Sequence, residues 1–287
     1  MTATSQHGWT TDPRELLRVG EGFRLADVDP DATPGYDGRK KHGRADLRAG
    51  ADELAALQER LYAQSRVDPS TPAVLLVLQA MDSAGKGGIV RHVIGATDPQ
   101  GIRLKAFKKP TAEELQHDFL WRVERELPEP GFIGVFDRSH YEDVLIGAVR
   151  ELAPPEEIER RFGAINDFEE RLAASGTKVV KVMLHISSAE QKSRLMERLD
   201  RPDKHWKYNP GDVDERLLWP RYMDAFQTVL ERTSTDLAPW HVVPANAKWY
   251  ARLAVQALLL DALESIDPRW PAAAYDVAAE KRRLAAS

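Results

Sequence analysis

The sequence predicts an α/β fold built on a parallel sheet with helices on both faces, and three observations carry that expectation. Five apolar segments rich in β-branched residues punctuate the chain, at 73–79, 102–107, 132–136, 179–186 and 240–243. Such near-continuous runs suit strands buried on both faces. Helical periodicity fills the intervals between them, which is the alternation of a doubly wound sheet. With 287 residues, 43% of them hydrophobic, the chain can also bury a sizeable core.

The elements follow in order. Residues 1–45 are polar and turn-rich, with DPDATPGYDG among them, and read as an N-terminal extension that is ordered only where it docks. Leu54, Leu57 and Leu61 recur at helical spacing, so an amphipathic helix opens the main domain, taken as 46–265. The turn DPSTP leads from it into the first strand. No internal repeat or low-complexity tract interrupts the domain. Residues 266–287 read as a tail, helical or frayed.

The longest interval lies between the fourth and fifth strands and opens with SSAEQKSRLMERLDRPDKHWKY. It carries Lys192, Arg194, Arg198, Arg201, Lys204 and Lys207. As a solvated helix face it would pair Glu190 with Arg194 and Glu197 with Arg201. As an insertion in a compact fold, it would be a mobile lid over about 187–215.

Composition excludes several classes. Lys+Arg 40 against Asp+Glu 45 gives a net charge of −5, which argues against a protein that coats nucleic acid. There are no cysteines, hence no disulfide, thiolate nucleophile or Cys-ligated zinc. No apolar run approaches the ~20 residues of a membrane span. The first residues lack the basic start and apolar stretch of a secretory signal, so a soluble cytoplasmic protein is expected.

The sharpest chemistry follows the first strand: Ala80, Met81, Asp82, Ser83, Ala84, Gly85, Lys86, Gly87, Gly88. A strand, a small-residue loop with Gly-Lys and then a helix is the arrangement that cradles phosphates. Loop amides converge on the anion, glycines permit close approach, and the lysine adds a charge. Two departures from the G-x-x-x-x-G-K-[ST] pattern stand out. Ala80 replaces the first glycine, and Gly87 replaces the hydroxyl residue that would hold a metal. Asp82 meanwhile sits inside the loop. A carboxylate beside phosphates needs a cation between them, so Asp82 is either a metal ligand or a cap for the following helix.

The third strand ends in FDRSHYEDV. Asp137 at its tip occupies the place of a Walker-B carboxylate and is the second candidate metal ligand. Arg138 follows it into the crevice where such sheets bind ligands. Arg138 could pair with Glu142, and Arg122 with Asp118, while either guanidinium could hold a phosphate. Arg103, Lys105, Lys108 and Lys109 make a basic patch around the second strand. Phe107, Phe119 and Trp121 fit a core better than a base-stacking shelf. His140 has no evident acid–base partner, and His92, His117, His185, His205 and His241 show no metal-ligand spacing.

In order and spacing, QAMDSAGKGG, FKKPTAEELQHDFLWR, FDRSHYEDVL, LHISSAEQKSRLMERLDRPDKHWKY and TSTDLAPWHVVPANAKWY resemble the polyphosphate kinase 2 family, its class III members in particular. The likeness spans roughly residues 22–265. It implies a P-loop kinase core akin to thymidylate kinase: a parallel five-stranded sheet between helices, with a helical lid. It implies phosphoryl transfer between inorganic polyphosphate and AMP, ADP or ATP with Mg²⁺, for which Mn²⁺ can substitute. A homo-oligomer, dimer or tetramer, is implied as well. By motif, Asp82 and Lys86 match the family's Walker-A acid and lysine, and Asp137 and Arg138 its Walker-B pair. Arg194, Arg198, Lys204 and Lys207 match its lid, with Arg201 among the same cations. Arg122, Arg138 and Glu142 are expected at the acceptor nucleotide, and Lys105, Lys108 and Lys109 along the polyphosphate. An ATP-dependent nucleotide or nucleoside kinase on the same fold is the first alternative, and a non-catalytic nucleotide or polyphosphate sensor the second.

Overall fold

The computed structural model describes residues 8–287. In chain order the elements are α1 (Pro13–Leu17), α2 (Lys40–Ser65), β1 (Ala73–Gln79), α3 (Lys86–His92), β2 (Ile102–Ala106) and α4 (Trp121–Glu124). There follow β3 (Ile133–Asp137), α5 (Glu142–Val149), α6 (Pro155–Ala174), β4 (Thr177–His185), α7 (Ser188–Asp200), α8 (Gly211–Leu217), α9 (Trp219–Thr233), β5 (Trp240–Pro244), α10 (Lys248–Ile266) and α11 (Val277–Ala285). All strand pairs are parallel, in the spatial order β2-β3-β1-β4-β5. From β1 the chain goes first to β2 and β3 on one side and later to β4 and β5 on the other. The loop after β1 therefore sits at the topological switch, where such sheets bind ligands.

Strand periodicity divides the core in two. Val74, Leu76 and Leu78 of β1 face a cluster completed by α2, α3 and α10, whereas Leu75 and Val77 face one completed by α5, α6 and α9. Each β1 side chain is buried, as a strand flanked on both faces requires. Among the described residues no helix is long and apolar enough to cross a membrane.

From residue 8 on the extension is docked, its first seven residues lying outside the described ones. Trp9, Leu17, Val19, Leu25 and Tyr36 are all buried. Trp9 meets Tyr36 and Tyr250 edge-on, at 5.5 and 5.8 Å between ring centroids. Helix α2 begins at Lys40, ahead of the expected boundary at 46. Gly43, which disfavours a helix locally, lies directly under the Trp249 ring of α10. That close approach explains a turn of helix that propensity argues against.

One feature of the second cluster is polar. Lys181, in the middle of β4, is fully buried, and its Nζ donates to Glu169 Oε2 (2.5 Å), Thr233 O (2.6 Å) and Tyr141 Oη (3.0 Å). Tyr141 Oη donates in turn to Glu169 Oε1 (2.7 Å). His140 Nε2 lies 3.4 Å from the same oxygen, so this histidine does have an acidic partner, supplied from α6. Burial pushes the Glu169 carboxyl up, but Lys181 and the His140 hydrogen bond outweigh it and keep the group ionised. The network pins the residues directly after Arg138.

A buried pair costs most when only one partner is lost. Lys181→Met should lower unfolding free energy in urea by about 3–5 kcal/mol. The double change Lys181→Met/Glu169→Leu should lose less than the single. A single-variant loss below about 1 kcal/mol would mean that the pair is not an ionic one.

Candidate active site at the carboxyl edge of the sheet

After Gln79 the chain makes a compact loop. Ser83 has φ 67° and Gly85 φ 126°, backbone conformations in which only the glycine is at ease. Side chains of α7 hold the loop from behind. Arg194 Nη1 donates to Ser83 O (3.0 Å) and Ala84 O (2.6 Å), and Gln191 Nε2 to Asp82 O (3.1 Å). Arg194 Nη2 donates to Ala245 O (2.7 Å) and Asn246 O (3.0 Å), and its Nε to Glu190 Oε1 (2.7 Å). With its carbonyls drawn outward, the loop offers its amides inward. Among the described residues, no acceptor takes the N–H of Ser83, Gly85, Lys86 or Gly87. Ser83 Oγ is likewise buried without a partner. Lys86 is buried and curls back to Ala80 O at 3.2 Å. A set of unpaired amides with a lysine beside it is a nest for an anion.

The β3 tip completes the site. Asp137 lies opposite Leu78 in the β1–β3 register, and the Arg138 amide donates to Leu78 O at 3.0 Å. Arg138 has φ 64°, which costs a non-glycine residue about 1–3 kcal/mol. Its Nη2 donates to Asp82 Oδ1 at 2.6 Å. Burial would push the Asp82 carboxyl up, but Lys86, Arg138 and Arg198 outweigh it and hold it below the usual carboxylate range. Glu142 behaves oppositely: burial raises it against the pull of Arg138 and Lys86. Gln79, with its amide turned to suit both neighbours, donates to Glu142 Oε1 (2.9 Å) and accepts from Ser139 N (3.1 Å). Beside these groups opens a cavity of about 230 Å³, lined by Asp82, Arg138, Glu142, Asp212, Glu215 and Tyr222.

Several expected partnerships change. Arg138 pairs directly with Asp82, not Glu142, because the parallel register sets the two loops side by side. Arg122 is buried, donating to Lys108 O (2.9 Å) and Asp143 (3.2 Å), while Asp118 pairs with Arg160 (2.9 Å). Arg194, expected among the catalytic lid cations, spends its donors on backbone carbonyls and Glu190, and so braces the loop. Arg198 stays within electrostatic reach of Asp82, donating meanwhile to Lys207 O (2.9 Å) and Asp212 (3.3 Å). Arg201 pairs with Asp203 (2.8 Å) and Glu197 (3.3 Å) at the surface. Lys204 and Lys207 lie on an exposed 3-10 turn, Lys207 over the Trp206 ring. Lys105 is tied to Glu126 at 2.6 Å on the edge strand β2, and Lys108 and Lys109 are exposed just beyond it.

Gln79, Gln191, Asp212, Glu215 and Tyr222 escaped the reading of the sequence. Only Gln79 carried a signal, as the polar end of an otherwise apolar run. Asp82 and Asp137 both act electrostatically on Arg138, and Asp82 Oδ2 accepts no hydrogen bond among the described residues. No set of three acidic or histidine side chains among the described residues could hold a metal alone. A pair of carboxylates fits a hard divalent cation that takes its other ligands from phosphate and water.

A parallel sheet with this loop at its switch point and an acid on the neighbouring strand is the architecture of P-loop phosphotransferases. The profile of the family Polyphosphate kinase 2 (PPK2) matches residues 38–271, and the chain belongs to that family. It is 43% identical to an AMP/ADP-polyphosphate phosphotransferase of Meiothermus ruber, over 87% of this chain and 91% of that protein. It is also 43% identical to an ADP-polyphosphate phosphotransferase of Rhodopseudomonas palustris, covering 89% and 91%. The crystal structure of polyphosphate kinase 2 from Arthrobacter aurescens superposes with a TM-score of 0.94 at 58% identity, covering 97% of this chain and 98% of that one.

If Arg194 braces the loop, Arg194→Ala should lower both turnover and stability. Leaving buried carbonyls unpaired costs about 1–3 kcal/mol each, so the melting temperature should fall by roughly 5–10 °C. Lost turnover at an unchanged melting temperature would return Arg194 to a direct role in the chemistry.

Proposed function

We propose that the protein transfers a phosphoryl group between inorganic polyphosphate and the terminal phosphate of AMP or ADP. The observation that carries this reading is the loop itself: outward-tied carbonyls, unpaired inward amides, and Asp82 held ionised between Lys86 and Arg138. The absence of a hydroxyl residue after Lys86 separates it from an ATP-dependent loop, whose metal ligand that hydroxyl would be. Names of the relatives support polyphosphate as donor and adenine nucleotides as acceptors.

In this reading the loop amides and Lys86 hold the terminal phosphates of the donor. The acceptor phosphate lies in the neighbouring cavity, oriented by Arg138, with Glu142 and Asp212 shaping its wall. Transfer is in line. The bond between the terminal phosphorus and its bridging oxygen breaks, and that oxygen leaves on the shortened chain. The new bond forms to an oxygen of the acceptor phosphate, already ionised, so no strong base is required. Asp82 and Asp137 would hold Mg²⁺, or Mn²⁺ in its place, which when bound neutralises charge on the reacting phosphates. Arg198 approaches as the lid segment closes, adding charge where the transferring group spreads its own.

The test is chromatographic. Purified protein with polyphosphate, Mg²⁺ and AMP should yield ADP and then ATP, while ATP as the only donor should support far less transfer. Asp82→Asn and Asp137→Asn should each lower turnover roughly 10²–10⁴-fold with melting temperature little changed. Near-normal turnover in both variants would end the two-carboxylate proposal, and conversion of ADP alone would restrict the acceptor.

A further inference from the structure

Each loop carbonyl that α7 holds also fixes an amide on the other side. A peptide unit is planar and trans, so turning its C=O one way aims its N–H the opposite way. Arg194 on Ala84 O thus aims the Gly85 amide, and Gln191 on Asp82 O aims the Ser83 amide. Neither amide has an acceptor among the described residues, and both belong to the anion nest. Ser83 sits at φ 67°, a conformation that a serine does not hold by itself, so the aim of its N–H depends on the side chain behind it. An arginine can brace a carbonyl in only one sense, because every polar atom of its guanidinium is a donor. A glutamine amide is ambiguous. Turned over, Gln191 would set its oxygen against the Asp82 carbonyl oxygen and brace nothing.

What removes the ambiguity comes from another helix. Arg216 of α8 donates through Nη1 to Gln191 Oε1 at 3.0 Å and to Ser188 O at 2.5 Å. A guanidinium accepts nothing, so Gln191 must give it the oxygen, and only the NH2 is left for Asp82 O, 3.1 Å away. Gln191 is 1% exposed, which leaves its amide no solvent to turn toward. Helix α8 is seated in turn by Glu215, which accepts from Arg150 of α5 at 2.8 Å and from the Tyr222 hydroxyl of α9. The same helix lends Asp212 and Glu215 to the wall of the acceptor cavity. A polar relay therefore runs from that wall through Arg216 and Gln191 to the peptide unit that joins Asp82 to Ser83.

Resting on the reading of this loop as the donor-phosphate site, we infer that Arg216 is a positioning residue. Through Gln191 it aims the Ser83 N–H at the donor phosphate, so the loop is competent only while α8 is seated. Two readouts test this: pyrophosphate affinity by calorimetry, and kcat and KM for transfer from polyphosphate to AMP. Gln191→Met keeps the length of the side chain but not its donor. It should weaken pyrophosphate roughly tenfold and lower kcat by a similar factor, with KM for AMP unchanged to within about twofold. Arg216→Gln should do nearly the same, and Arg216→Lys, still a donor only, should recover most of both. Because Arg216 acts through Gln191, the double variant should be no worse than Gln191→Met alone to within about threefold. A tie to Ser188 and nothing more would lower the melting temperature of Arg216→Gln while leaving kcat and pyrophosphate affinity as they are. That result, losses that multiply in the double variant, or an Arg216→Lys variant as impaired as Arg216→Gln would overturn the inference. A wild type that transfers from ATP but not from polyphosphate would remove the donor assignment alone. The same variants would then decide the inference on pyrophosphate affinity and on the rate with ATP.

Discussion

Arg138 reaching across to Asp82 is the contact on which the rest of the site depends. It exists because β1 and β3 are hydrogen-bonded neighbours, with Leu78 opposite Asp137, so that two loops far apart in sequence leave the sheet together. Both loops are held in conformations that ordinary residues avoid, at Ser83 and at Arg138. Strain of that kind persists only where the surroundings over-determine it. Here Arg194 and Gln191 secure one loop from α7, and the buried Lys181–Glu169–Tyr141 network secures the other from within the core. The loop is therefore held in one shape by the protein itself, which is what the proposed reaction, governed by positioning and electrostatics, requires.

The two faces of the sheet also differ in charge beside the loop. One face carries the cavity with Glu142, Asp212 and Tyr222, beside the core cluster of α5, α6 and α9. The other carries a cationic cavity over α2 and α10, lined by Lys40, Arg44, Lys248 and Arg252. The phosphate loop lies between them at the switch in strand order. Acidic and cationic surroundings thus lie on opposite sides of one loop, in a chain whose net charge is −5.

Much of this was legible in the sequence, for identifiable reasons. A strand buried on both faces leaves an unbroken apolar run, so β1 was read with the bounds it has, and the other strands within a few residues. The loop announced itself through Gly85-Lys86 and the acid at 82, and the β3 acid through its place at the end of an apolar segment. Partnerships were harder, because they depend on which strands become neighbours. Nothing local distinguishes an arginine that binds phosphate from one that binds carbonyls, and Arg194 went to the carbonyls. Glu142 was set against Arg138 by helical spacing, yet the ion pair went to Asp82, three residues past the end of a strand hydrogen-bonded to β3. Lys181 sits inside an apolar strand with its acid twelve residues earlier on α6. The first turn of α2 hid behind Gly43, whose purpose appears only when Trp249 is in place. The cations of α2 and α10 are separated by the whole sheet in sequence, and only folding makes them one cavity.

The most direct test of the account is a double-mutant cycle across the two loops. Rates of phosphoryl transfer from polyphosphate to AMP would be compared for the wild type, Asp82→Asn, Arg138→Gln and the pair. If the two side chains work as one preorganised unit, the double variant should be no slower than the worse single to within about threefold, a coupling of roughly 2 kcal/mol or more. Losses that simply multiply would contradict it, and would make Asp82 and Arg138 independent contributors that happen to lie side by side.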